Sequence, residues 1–246
     1  MPFGYNLRSR VTPYIILFIE RDGSTYLTSL LMTHPEVAAV YEQFAVLRQK
    51  GSTGKEQLDW ARDFYTPPLI GRHSAIGFKT KLVDVLDLDG FTKLLKQRQC
   101  YVIQMHRKNH VKAVVSRINA KRLHDSTGLW NLYKESDRLP PAEIDFETFD
   151  QYLKERMEAD KQLGEYVQSL NLPTYKMIYE ELLVNKDALL TELFKFLRVK
   201  PMLLEGKTLK HTKDNLREVV LNFGELRSRY VGTPYEAMFD EVLVTD

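Results

Sequence analysis

Residues 14–32, YIILFIERDGSTYLTSLLM, confine the fold more tightly than any other stretch of this chain. The run 14–19 is apolar, rich in β-branched and aromatic side chains, and far shorter than the ~18 residues of a membrane span, so it reads as a buried parallel strand. Gly23 permits a tight turn, and Ser24 and Thr25 open a helix. The first amides of that helix have no intrahelical partners. Together with the two hydroxyls and the positive helix end they form a place for an anion, a phosphate or a sulfate group. Taken alone, the Gly-Ser pair fits an ordinary capped helix better, and the remainder of the chain decides between the two.

A chain of 246 residues, 43% of them hydrophobic, can bury one sizeable core, and residues 1–246 read as a single domain. The formal net charge of +2 argues against a general nucleic-acid or membrane-surface binder, so a basic site must be local. Cys100 is the only cysteine, which excludes an intrachain disulfide and a zinc-type cluster and suits a reducing compartment. Neither a signal-type apolar core nor a run of membrane-spanning length is present, and the expectation is a soluble, cytoplasmic chain with no membrane segment.

Strands and helices alternate, as in a wound α/β sheet. After the first strand and helix, His34-Pro35 marks a turn, 37–49 is extended or helical, and 50–74 is a polar insertion. Further strands are predicted at 75–79, 101–105 and 174–179, and helices at 90–96, 109–122, 146–170, 187–197 and 214–221. The expected architecture is a P-loop-like three-layer α/β fold, with a central, mainly parallel sheet flanked by helices.

Four groups of residues then coincide: Arg21-Asp22-Gly23-Ser24-Thr25 after the first strand; Arg107 with Ser116; Tyr179-Glu180-Glu181-Leu182 after a later strand; and Lys210-His211-Thr212 with Asn222-Phe223 in the tail. In this order and spacing the chain resembles the sulfotransferases, closer to their bacterial and Golgi-type branches than to the cytosolic one. The resemblance implies transfer of the sulfuryl group from 3′-phosphoadenosine-5′-phosphosulfate (PAPS) to a hydroxyl or amine by in-line displacement. The acceptor is expected to be a small molecule, a carbohydrate or a lipid. It also implies that Asp22, Gly23, Ser24, Thr25 and Tyr26 hold the 5′-phosphate, Arg107 and Ser116 the 3′-phosphate, Tyr179 the adenine, and Lys210 (or Lys213) closes over the nucleotide. Arg21 lies beside the bridging oxygen that gains charge; a guanidinium is a poor proton donor, so its expected role is electrostatic. Lys79 is expected to neutralise a sulfuryl oxygen and Glu42 to take the acceptor proton, with His34 as the alternative base. No metal is required, because the sulfuryl group carries less charge than a phosphoryl group.

Three features depart from the family pattern. Glu20 and Asp22 put two carboxylates where proline and a hydroxyl residue are usual, and Ser116 follows Arg107 by nine positions, not eight. Two other readings compete. A P-loop nucleotide-dependent kinase would need its motif at 49–56, but Gln49 and Glu56 occupy required Gly and Ser/Thr positions, and the segment reads as a flexible loop. A non-catalytic nucleotide-binding scaffold is the reading that Glu20 and Asp22 support. The loops 50–74 and 130–141, with Trp60, Phe64, Tyr65, Trp130 and Tyr133, are expected to set the acceptor or simply to pack.

Overall fold

Thr12–Leu17 forms β1, and its alternating side chains divide the interior of the protein in two. In the computed structural model, which describes residues 11–66, 73–130, 132, 134–204 and 214–243, Tyr14 and Ile16 face one apolar layer while Ile15 and Leu17 face the other. All four are fully buried, the mark of a central strand covered on both faces.

The chain continues through α1 (Ser24–Leu31), β2 (Val37–Val40), α2 (Gln43–Gln49), α3 (Gly54–Phe64), β3 (Ala75–Thr80), α4 (Leu88–Arg98), β4 (Tyr101–His106) and α5 (His110–Thr127). It then forms α6 (Phe146–Leu170), β5 (Thr174–Ile178), α7 (Tyr179–Val184), α8 (Lys186–Leu197), α9 (Phe223–Ser228) and α10 (Glu236–Asp240). The five strands lie in the order β2-β3-β1-β4-β5, and every pair is parallel. Helices α1 and α8 cover one face; α3, α4 and the end of α6 cover the other. A third apolar cluster joins α5 and the start of α6 to α9 and α10. The three-layer parallel α/β sheet expected from the alternation is therefore present.

Because β3 and β4 flank β1 on opposite sides, the chain reverses direction across the sheet there. Open parallel sheets bind ligands at such a switch point, beyond the carboxyl ends of the strands. The segments leaving β1, β4 and β5 carry Arg21, Arg107 and Tyr179 to that edge, and Lys79 reaches it from the end of β3 itself.

Several local expectations are corrected. Segment 37–49 holds both a strand and a helix, so the sheet has five strands where four were read. Within the expected insertion at 50–74, Thr53 and Glu56 form a reciprocal capping box that starts α3, and Leu58 and Ala61 are buried. The supposed flexible loop at 51–56 is thus a helix start. Trp60 and Phe64 stack on each other, and with Tyr65 they pack around Phe78, so these aromatics are core. The tail segment 214–221 contains only a short 3-10 turn, Leu216–Glu218. Among the described residues no helix is long and apolar enough to cross a membrane.

Candidate active site

The β1–α1 turn is held in an uncommon backbone shape. Arg21 (φ 70°) and Gly23 (φ 80°) both occupy the left-handed region; among the described residues the other non-glycines there, Gln99, Asn171 and Arg198, each close a helix C-terminus, whereas Arg21 lies in the turn itself. Helix α1 takes Gly23 as its N-cap and receives no side-chain cap, so the amides of its first turn are not closed by a neighbouring hydroxyl or carboxylate. A Cβ on Gly23 would come within 2.2 Å of the Tyr179 ring. Gly23→Ala is therefore expected to destabilise the protein by about 1–3 kcal/mol through strain alone, with the added clash on top, as read from urea unfolding.

Both loop carboxylates are paired with arginines from outside the turn. Asp22 is fully buried; its carboxylate accepts from the Ile19 amide (3.0 Å) and pairs with Arg156 of α6 at 2.5 Å. Burial pushes Asp22 up to about 6, against the pull of the Arg156 charge. Glu20 pairs with Arg117 at 2.6 Å, and Arg117 also holds Glu155 at 2.7 Å. The Asp22 carboxylate, among the residues expected at the nucleotide, is thus engaged by the Ile19 amide and by Arg156 of α6. Neither carboxylate spoils the turn.

Lys79 ends β3 almost wholly buried and supplies the cation that the turn faces. Its ammonium donates to Thr25 Oγ1 (2.7 Å) and Ser24 Oγ (3.2 Å) and pairs with Glu42 Oε1 at 3.0 Å. Burial lowers its pKa, and the Glu42 charge works in the opposite direction. The rings of Phe18 and Tyr41 flank the ammonium at 4.9 and 5.4 Å. Glu42 stands at the N-cap of α2, keeps about a third of its side chain exposed (31%), and also faces Lys81 at 3.7 Å.

Arg107 closes the opposite side. Its Nη1 donates to the Arg21 carbonyl (3.0 Å), and its guanidinium lies 4.9 Å from the centre of the Tyr179 ring. Glu180, a buried carboxylate, accepts from the Lys108 and Asn109 amides at 3.0 Å each and so fixes the entry to α5. Arg107 Nε makes no hydrogen bond, although it is buried. Arg21 Nε donates to Ser116 Oγ at 2.9 Å, joining two of the expected ligand residues directly. Burial, then the nearby Arg107 charge, pulls Arg21 down to about 10, which leaves it charged at neutral pH.

The structure thus brings together Arg21, Gly23, Ser24, Thr25, Lys79, Glu42, Arg107, Ser116 and Tyr179. Tyr26 packs partly buried against the α1 side of the core, leaving only its backbone amide to the turn. His34, the alternative base, is buried, and its ring nitrogens are engaged by the Lys200 carbonyl (2.8 Å) and the Glu36 amide (3.1 Å). Lys210 and Lys213 lie outside the described residues, as does Tyr133. Asn222 is a brace, exchanging hydrogen bonds with both backbone groups of Ile144. Trp130 is half exposed, stacks on His124 at 4.1 Å, and receives a long hydrogen bond from Arg21 at its carbonyl (3.4 Å). Among the described residues no group of three or more His, Cys, Asp or Glu is arranged to hold a metal ion.

A cleft of about 340 Å³ adjoins the turn, lined by Phe18, Lys81, Val83, Val114, Arg117 and Tyr152 among others. Phe18 lines it and also lies 4.9 Å from the Lys79 ammonium, so the cleft and the buried cation share that ring. Arg156 was not anticipated, and Glu180, named within the 179–182 group, was given no role of its own. For Arg156 a signal existed, since Phe149, Leu153, Arg156 and Leu163 mark one buried stripe of α6, and a lone arginine on such a stripe demands a partner.

No protein-family model matches the sequence. The crystal structure of a sulfotransferase from Alicyclobacillus acidocaldarius, 14% identical in sequence, aligns with a TM-score of 0.50 over 94% of this chain and 96% of that one. The chain has the sulfotransferase fold. In sequence, Nodulation protein H of Rhizobium tropici is 23% identical over 239 residues, which cover 93% of this chain and 93% of that protein. A mouse sulfotransferase, SULT7A1 complexed with PAP, is 14% identical and aligns at a TM-score of 0.46 over 89% of this chain and 68% of its own. The resemblance carried by the sequence motifs thus agrees with the fold.

Proposed function

We propose that this protein is a PAPS-dependent sulfotransferase acting on a hydroxyl or amine of a small-molecule, carbohydrate or lipid acceptor. The observation that carries the reading is the buried Lys79 ammonium, which ties the two hydroxyls of an uncapped helix start to the partly exposed carboxylate of Glu42. Three cations, Arg21, Lys79 and Arg107, surround that helix start, and an anion of high charge is the ligand they suit.

The amides of Ser24, Thr25 and Tyr26 and the two hydroxyls hold the 5′-phosphate. Arg107 and Ser116 take the 3′-phosphate, with Tyr179 against the adenine and Lys210 closing over it. The acceptor occupies the cleft beyond Phe18, whose volume suits a single ring or the end of a larger molecule. Its oxygen or nitrogen attacks sulfur as the bond from sulfur to the phosphate oxygen breaks. The proton passes to Glu42, and 3′-phosphoadenosine-5′-phosphate (PAP) departs with the bond's electron pair, its developing charge met by Arg21 and Lys79. The fixed backbone and buried cations mean that little reorganisation accompanies charge development.

Calorimetric titration with PAP, followed by a screen of acceptors with labelled PAPS, tests the reading. Saturable binding of PAP and transfer of label are expected. Absence of heat with PAP, or turnover of ATP with magnesium in its place, would overturn it.

A further inference from the structure

Helix α6 reaches the nucleotide turn through one side chain. Arg156, 4% exposed, pairs with Asp22 at 2.5 Å, donates from Nη1 to the Glu20 carbonyl (3.2 Å), and is itself oriented by Asp160 at 3.1 Å. Asp22 in turn accepts from the Ile19 amide, closing the turn from within. We propose that Arg156 is a positioning residue which, through Asp22, holds the β1–α1 turn in its nucleotide-binding shape from the acceptor side of the molecule. This rests on the reading of that turn as the PAPS site.

Three observations lead there. A buried ion pair contributes little net stability compared with apolar packing, so stability alone does not account for it. The pair acts on the two residues flanking Arg21, whose left-handed backbone must be over-determined by its surroundings to persist. On the other side Arg107 holds the Arg21 carbonyl, so the turn is gripped between α6 and the β4–α5 junction. Arg156 also lines the cleft assigned to the acceptor, which makes α6 common to both halves of the site. The pair also has an electrostatic result: Arg156 cancels the one negative charge buried inside an anion-binding turn. Asp160, with His106 and His110 beside it, completes the charged set behind Arg156.

The test is PAP titration of the full chain and of Asp22→Asn, well above the shifted pKa of Asp22. Asparagine keeps the size and can still accept from the Ile19 amide, but it surrenders the ionic hold on Arg156. If the pair positions the turn, PAP affinity falls about tenfold, the scale of one charge-assisted bond, even though a negative charge has been removed from the neighbourhood of an anion. Equal or tighter binding by Asp22→Asn, with the unaltered chain binding PAP, overturns the positioning role alone. No binding by the unaltered chain overturns the nucleotide reading and this inference with it. Arg156→Lys, which keeps the charge but loses the fork, is expected to bind PAP more weakly than the unaltered chain and more tightly than Arg156→Met. Equal affinity of these two variants overturns the role as well.

Discussion

Lys79→Met is expected to lower the rate of sulfuryl transfer at saturating nucleotide by about 10²–10³-fold, the usual cost of removing one preorganised charge donor. The lysine is buried at the end of a central strand, and its ammonium is fixed by Thr25, Ser24 and Glu42 before any substrate arrives. Its stabilisation of the leaving oxygen therefore comes without reorganisation. Methionine has a similar length and no charge, but it leaves Glu42 with only Lys81 at 3.7 Å and takes the donor from the Ser24 and Thr25 hydroxyls, so the melting temperature should fall as well. Single-turnover transfer and PAP titration separate the two possible roles. If the loss falls only on PAP affinity while transfer from the bound state is unchanged, Lys79 serves ground-state binding and not the transition state.

Much of the fold was legible because the chain alternates short apolar runs with helical patterns at the spacing of a parallel sheet. The expected 146–170 helix is found at Phe146–Leu170, and the remaining strand and helix assignments shift by a few residues at their ends, except in the tail. Val37–Val40 escaped because it is only four residues long and three of them are partly exposed, leaving no buried run to recognise. Thr53-Gly54-Lys55-Glu56 is a different case: the Thr and Glu three apart are a helix-start signature, and the glycines drew attention to a loop instead. At 214–221 the helical spacing is real but only Leu216–Glu218 turns, since Asn215 caps it and Val220 pairs with Ala142.

The site was legible wherever chemistry is concentrated in one short segment, as in the turn around Gly23. It was opaque where a residue acts through a partner far along the chain. Arg156 lies 134 positions from Asp22, and Glu180 lies 71 from the Asn109 amide it holds. The buried stripe of α6 marks Arg156 as needing a partner, but no local pattern says which residue that partner is. The unusual acids at 20 and 22 were visible, but their meaning depended on Arg117 and Arg156, which only folding brings beside them.

Glu42→Gln is expected to reduce the transfer rate by about 10²–10⁴-fold, the range for loss of a general base, with PAP affinity changed by no more than about twofold. Glutamine still offers an oxygen to the Lys79 ammonium at the 3.0 Å position, so the turn and its hydroxyls stay in place. What it cannot do is accept the acceptor's proton. Glu42→Ala removes both functions and should weaken PAP binding as well, because Lys79 then loses the partner that offsets its burial. The contrast matters because a carboxylate beside Lys79 and Lys81 has an obvious alternative role as their counter-ion. If Glu42→Gln retains transfer and only Glu42→Ala fails, the carboxylate positions Lys79, and the proton must leave by another route. If both fail while Glu42→Gln still binds PAP normally, proton acceptance is the function that was lost.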